Sequence, residues 1–125
     1  MRDVSAYRFG AQEYPIVWDE DLSESWGSDA EPTNDNPCYG CVNLRDRAVA
    51  LNPALNKTAD GTLAIFIHEG LHIVEPFLPR DMPHGLLKAI ANLQAQLWIQ
   101  SGVIDPEEFA IAGRVLSKLG EDDGA

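Results

Sequence analysis

The sequence predicts an α+β fold in which a small N-terminal antiparallel β-hairpin or sheet is followed by three helices. Short runs rich in β-branched and aromatic residues, broken by turn residues, fill much of the first half of the chain. Longer apolar runs with helical spacing, bounded by proline and glycine, follow them. We expect one domain over residues 1–125, with a β-rich and loop part at 1–57, a helical part at 58–120 and an acidic tail at 121–125.

The first half of the chain contains four short segments that are typical of β-strands. We expect strands at residues 6–9 and 14–18, and a hairpin with arms at 39–44 and 47–52. Pro15 would place the second segment at a sheet edge or at a strand start, because proline cannot donate a backbone hydrogen bond. Residues 23–37 are rich in Ser, Asp, Asn, Gly and Pro, and this composition predicts a loop.

The second half of the chain contains three segments with helical periodicity. We expect helices at about residues 58–75, 83–101 and 105–119. Gly70 lies inside the first segment at a cost of roughly 1 kcal/mol relative to alanine, which suggests that another part of the chain packs closely there. In the second helix, the residues expected to form a buried stripe are Leu86, Ile90, Leu93 and Leu97.

The charge is strongly acidic, with a net value of −11 from 20 acidic and 9 basic residues. This balance argues against a nucleic-acid partner, whose phosphates require Lys and Arg. No apolar stretch approaches the roughly 20 residues that span a bilayer, and the N-terminus lacks the apolar core of a secretory signal, so we expect a cytoplasmic protein without a membrane partner. Residues 13–36 contain eight acidic and no basic residues. We interpret them as a solvated loop, with a flap over a metal cleft as the alternative.

Cys38 and Cys41 form a single C-x-x-C pair. A structural zinc site usually needs four ligands, and the sequence has no second pair to complete one. We expect two inert thiols at a turn, and the alternatives are a redox-labile pair or a thiol that blocks a metal site.

The residues that carry chemistry are an H-E-x-x-H motif at 68–72 within an apolar, helix-forming run. Side chains four residues apart lie on one face of a helix, so His68 and His72 can bind a single metal ion. Glu69 projects from the adjoining face, where it can act as general base. A chance occurrence is the alternative, but burying two unpaired histidines on an apolar helix costs several kcal/mol.

A catalytic zinc site typically has three protein ligands and one open position. The other histidine of the chain, His84, is our first candidate for the third ligand, because a proline-rich loop lets the second helix return beside the first. The rival ligands are Glu75, Asp81, Glu107 and Glu108. Glu75 is the weaker of these, because a third ligand from the same short helix crowds the open position.

Residues 61–92 resemble the core of the zincin metallopeptidases, most closely the SprT-like branch or short phage and bacterial H-E-x-x-H domains. In that branch the motif helix is followed, after a short loop, by a His-Gly that opens the next helix, as His84-Gly85 does here. The resemblance implies a minimal zincin-like fold, a zinc cofactor, a peptide or protein substrate, and hydrolysis with Glu69 as general base. The DNA-linked role of many members is not implied, because the chain is acidic and lacks their zinc ribbon.

Two further expectations follow from metallopeptidase chemistry. An exposed hairpin edge, expected at the strand 47–52, would bind substrate as an added strand. The candidates for a transition-state hydrogen-bond donor are Tyr14, Tyr39 and Arg80. The competing hypothesis is a zinc-stabilised binding or host-interaction protein that is catalytically weak or inactive.

Overall fold

The computed structural model describes residues 1–20, 39–80 and 83–120. In these residues seven strands and two α-helices form an α+β fold, which confirms the predicted fold class. The strands are β1 Arg2–Val4, β2 Ala6–Phe9, β3 Gln12–Trp18, β4 Gly40–Asn43, β5 Ala48–Leu51, β6 Phe109–Ile111 and β7 Arg114–Val115. The helices are α1 Ala59–Val74 and α2 His84–Gln100, and short 3-10 turns lie at Glu75–Phe77 and Leu116–Lys118. The predicted loop 23–37, most of the acidic segment, and the tail lie outside the described residues.

A four-stranded sheet has the order β2-β3-β5-β4. The predicted hairpin is confirmed, since β4 and β5 pair antiparallel, and its turn is stabilised by Asp46, whose backbone N–H donates to Asn43 Oδ1 at 3.0 Å. The expectation that the strand at 47–52 is an edge is wrong. β5 lies between β4 and β3, pairing with β3 in parallel, and Val49, Ala50 and Leu51 are fully buried. Such a parallel pairing joins distant parts of the chain, so local periodicity does not reveal it.

The predicted third helix at 105–119 is wrong, because β6 and β7 form there instead. β6 pairs in parallel with β1, and β7 pairs antiparallel with β6. The turn between them places Ala112 and Gly113 at φ values of 45° and 85°, which an α-helix cannot contain. The backbone N–H of Gly113 also donates to Asp3 Oδ1 at 3.0 Å. The segment that was expected to form the third helix therefore pairs with β1, the first strand of the chain.

Both remaining helices lie within a residue or so of their predicted ranges. α1 ends at Val74, before Pro76, and α2 begins at His84 after Pro83. The predicted buried stripe of α2 is wrong, because its four large aliphatic side chains are 38–62% exposed. The side of α2 that is buried carries Leu87, Ala91 and Ala95, each 1% exposed. Small side chains let two helices approach closely, so burial follows the alanines and not the largest residues.

The close contact expected at Gly70 is present. A Cβ atom at this position would lie 3.1 Å from Cε1 of Tyr7, a residue of β2. The Tyr7 hydroxyl donates to the Phe66 carbonyl oxygen at 2.6 Å, and the two rings stack with centroids 4.8 Å apart. This contact positions α1 on the four-stranded sheet. Within the described ranges, neither helix has the length and apolar character needed to cross a membrane.

Candidate metal centre

Three histidine side chains converge where the end of α1 meets the start of α2. His68 and His72 lie one turn apart on α1, and their Nε2 atoms are 3.1 Å apart. His84, the first residue of α2, brings its Nε2 atom to 3.0 Å from Nε2 of His68. The three ligand atoms all lie within 4.8 Å of one another, so these histidines are close enough to bind one metal ion.

The spacing and chemistry of this donor set fit a zinc ion. Two nitrogens at 2.0–2.1 Å from a tetrahedral zinc are about 3.4 Å apart. The two Nε2–Nε2 distances that His68 makes with His72 and His84 are within a few tenths of an ångström of this value. Without a cation, Nε2 of His68 faces two other imidazole nitrogens at hydrogen-bond distance. A neutral ring nitrogen is either a donor or an acceptor, so it can form only one type of hydrogen bond with both neighbours. A shared cation satisfies all three lone pairs at once.

The surroundings keep His68 in the form that binds metals. Burial, followed in order of importance by the charges of His72, His84 and Lys88, lowers the pKa of His68 to about 4. The ring is therefore neutral at pH 7, as a metal ligand must be. Its Nδ1 atom is buried and has no hydrogen-bond partner in the described part of the chain.

None of the rival carboxylate ligands in the described part of the chain belongs to the cluster of His68, His72 and His84. Glu75 lies on the far side of the His72 ring, with Oε1 3.5 Å from Nδ1. This is the position of a carboxylate that orients a ligating imidazole. Glu108 lies near the chain terminus, 3.9 Å from the Met1 amino group, and Glu107 is exposed on the preceding turn. Asp81 is outside the described residues.

Glu69 directly follows His68 in the sequence, and its side chain is buried, with 5% exposed. Burial raises the pKa of its carboxyl group to about 8. The backbone of β4 passes so close that a Cβ atom on Gly40 would lie 3.1 Å from both Cγ and Oε1 of Glu69. Gly40 therefore leaves the space that the Glu69 side chain occupies.

Sequence reasoning missed Gly40 and Tyr7 as residues that shape this site. An isolated glycine in a strand pattern is a signal of close approach, and it was available at Gly40. Nothing local marks Tyr7, whose pKa is raised well above its usual value by burial and then by the nearby Glu69 carboxylate. Both residues come from strands that are distant from α1 in sequence.

The candidate hydrogen-bond donors and the two cysteines differ in how exposed they are. Tyr14 is buried in the core, so it is not available to a substrate as a hydrogen-bond donor. Tyr39 and Arg80 are exposed. Cys41 is buried in strand β4 and not in a turn, and Cys38 lies outside the described residues.

Comparison with protein-family models, with curated proteins and with solved structures finds no match to this chain. The zincin resemblance therefore stays a prediction that depends on the motif and on the arrangement of the three histidines.

Proposed function

We propose that this protein is a zinc-dependent metallopeptidase in which His68, His72 and His84 hold the metal and Glu69 is the general base. The observation that carries the proposal is the convergence of three Nε2 atoms, two of them from an H-E-x-x-H helix whose glutamate is buried. The resemblance of residues 61–92 to the zincin core supports the same assignment.

When bound, zinc would supply a Lewis acid that polarises the scissile carbonyl and lowers the pKa of a water molecule to about 7. The Glu69 carboxylate takes the proton of the attacking water and returns it to the leaving amine. A carboxyl group with a pKa of about 8 both accepts and releases a proton near neutral pH. The Glu75 carboxylate lies 3.5 Å from His72 Nδ1, where it would orient the ring when Nε2 binds the metal.

Glu69→Gln tests the proposal, with Glu107→Gln as a matched control on the surface. Hydrolysis of unfolded casein is measured with zinc present and with a chelator. We expect zinc-dependent turnover in the parent protein and in Glu107→Gln, and a loss of about 10²–10⁴-fold in Glu69→Gln. Equal turnover in the parent and in Glu69→Gln would contradict the role of Glu69.

One observation favours a second function, that of a zinc-stabilised binding protein without turnover. Glu69 is almost sealed from solvent and packs against the β4 backbone, as a structural residue would. For this function we expect one zinc per chain, loss of zinc in His68→Ala, and no casein hydrolysis in any form. The same assay therefore separates the two candidates.

A further inference from the structure

An exposed lysine, Lys88, lies one helical turn from the metal centre. It follows His84 by four residues in α2, so the two residues share one side of the helix. Side chains of a helix lean toward its N-terminus, so Lys88 leans over the turn that begins with His84. The two helices run antiparallel, since Gln96 Nε2 donates to Asp60 Oδ2 at 3.3 Å near one end, whereas His84 meets His68 at the other. Lys88 is therefore beside the part of α1 that carries and precedes His68.

The charge of Lys88 is not neutralised by its neighbours. Residues 82–104 contain no other Asp, Glu, Lys or Arg, although the whole chain has 20 acidic and 9 basic residues. The helical positions three and four residues from Lys88, where a carboxylate could pair with it, are occupied by His84, Gly85, Ala91 and Asn92. In the part of the chain that the structure describes, no carboxylate forms an ion pair with Lys88.

A cation at this position opposes the binding of a metal ion. The three histidines bind zinc as neutral rings, so the bound ion keeps its double positive charge and is repelled by a nearby ammonium group. The charge of Lys88 does reach the centre. The pKa of His68 is lowered mainly by burial, and Lys88 adds to that lowering after the two other histidines. A site built only to hold zinc would be stronger without this lysine, whereas a site that also holds an anionic group would be stronger with it.

We propose that Lys88 is a specificity-determining residue of the metal centre, which selects peptides that carry a carboxylate near the bond held at the metal. An ammonium group binds a carboxylate through charge-assisted hydrogen bonds. The carboxylate is either the free C-terminus of the peptide or an acidic side chain, which have the same chemistry. The inference rests on the proposed function, because it requires a peptide at the metal centre. The net charge of −11 by itself predicts the opposite preference, for basic peptides.

Peptide binding to zinc-loaded Glu69→Gln tests the proposal, because this background is expected not to cleave the probes. The probes are short fluorescent alanine-rich peptides of equal length, and their binding is measured by fluorescence anisotropy. With an amidated C-terminus they carry one glutamate, glutamine or lysine at each position in turn, and the glutamine series is repeated with a free C-terminal carboxylate.

The test variants in the same background are Lys88→Gln, Lys88→Arg and Lys88→Glu. The matched control is Lys118→Gln, which removes the charge of another exposed lysine that lies outside both helices. A competition titration with a chelator measures the zinc affinity of every form.

We expect the background and Lys118→Gln to bind a carboxylate peptide about 2–5-fold more tightly than its amidated glutamine counterpart. The preference should be absent in about 1 M salt. Lys88→Arg should keep it, Lys88→Gln should lose it, and Lys88→Glu should prefer the lysine peptides. Whether the glutamate series or the free C-terminus is preferred identifies the source of the carboxylate. Lys88→Gln should bind zinc at least as tightly as the background does.

Four results would overturn the proposal. They are the absence of peptide binding, equal binding of carboxylate and amide peptides by the background, a carboxylate preference that Lys88→Gln leaves unchanged, and weaker zinc binding in Lys88→Gln. Casein hydrolysis by the parent protein decides the proposed function separately. Turnover without a charge preference would remove only the role of Lys88. A preference that depends on Lys88 without turnover would support that role in a zinc-stabilised binding protein.

Discussion

Replacing Glu69 by Gln is expected to stabilise the metal-free protein at alkaline pH, although it removes the proposed general base. The Glu69 carboxyl group is buried, and burial raises its pKa from 4.5 to about 8. Because the pKa in the folded state is higher than in the unfolded state, the stabilising contribution is complete below pH 4.5 and is lost as pH rises through 8. A neutral glutamine side chain does not have this loss.

The magnitude follows from the size of the pKa change. Each pKa unit corresponds to 1.36 kcal/mol, so a rise from 4.5 to about 8 corresponds to an upper limit of about 5 kcal/mol in the free energy of unfolding. We expect Glu69→Gln to gain most of this free energy, relative to the parent protein, between pH 5 and pH 9. The titration of His68 occurs in both proteins and largely cancels in the comparison.

Urea unfolding with a chelator, at pH 5 and at pH 9, measures this difference. The parent protein, Glu69→Gln and the exposed control Glu107→Gln are compared at each pH. In the control the difference from the parent should be the same at both pH values. If Glu69→Gln differs from the parent by equal amounts at pH 5 and pH 9, the Glu69 carboxyl group is not buried as described and the reasoning is refuted.

Three other substitutions test the surroundings of the site. Gly40→Ala should lower the free energy of unfolding by about 1–3 kcal/mol in urea, because its Cβ lies 3.1 Å from Glu69, and Glu69→Ala should reduce that loss in the double variant. Tyr7→Phe should cost about 1 kcal/mol in the same assay, because the hydroxyl no longer donates to the Phe66 carbonyl, whereas Tyr39→Phe should cost little. Glu75→Gln should weaken zinc binding about 10–100-fold in a competition titration with a chelator, and an unchanged affinity would contradict its contact with His72.

Local patterns predicted the part of the site that lies on one helix. His68 and His72 are neighbours because helical geometry places residues four apart on one face, and Pro76 ends that helix. The approach of His84 also follows from a short loop that reverses the chain. Its prediction needed one further assumption, that the second helix packs on the first through the side that carries His84.

The errors arose where distant segments decide the structure. Residues 105–119 have a good helix start, yet residues 109–111 pair with β1 at the other end of the chain. The four large aliphatics of α2 have the stronger apolar pattern, but the alanine side packs on α1 because it allows a closer approach. β5 is interior because β3 pairs with it in parallel. None of these contacts leaves a periodic signal in its own segment.

The central claim is that the Nε2 atoms of His68, His72 and His84 share one zinc ion. Zinc-edge X-ray absorption of the zinc-loaded protein measures this directly, through the number, type and distance of the ligand atoms. We predict three imidazole nitrogens at about 2.0–2.1 Å together with one light atom, and one nitrogen fewer in His84→Ala. Sulfur ligands at about 2.3 Å, which would indicate Cys38 or Cys41, or a chain that retains no stoichiometric zinc, would contradict the claim.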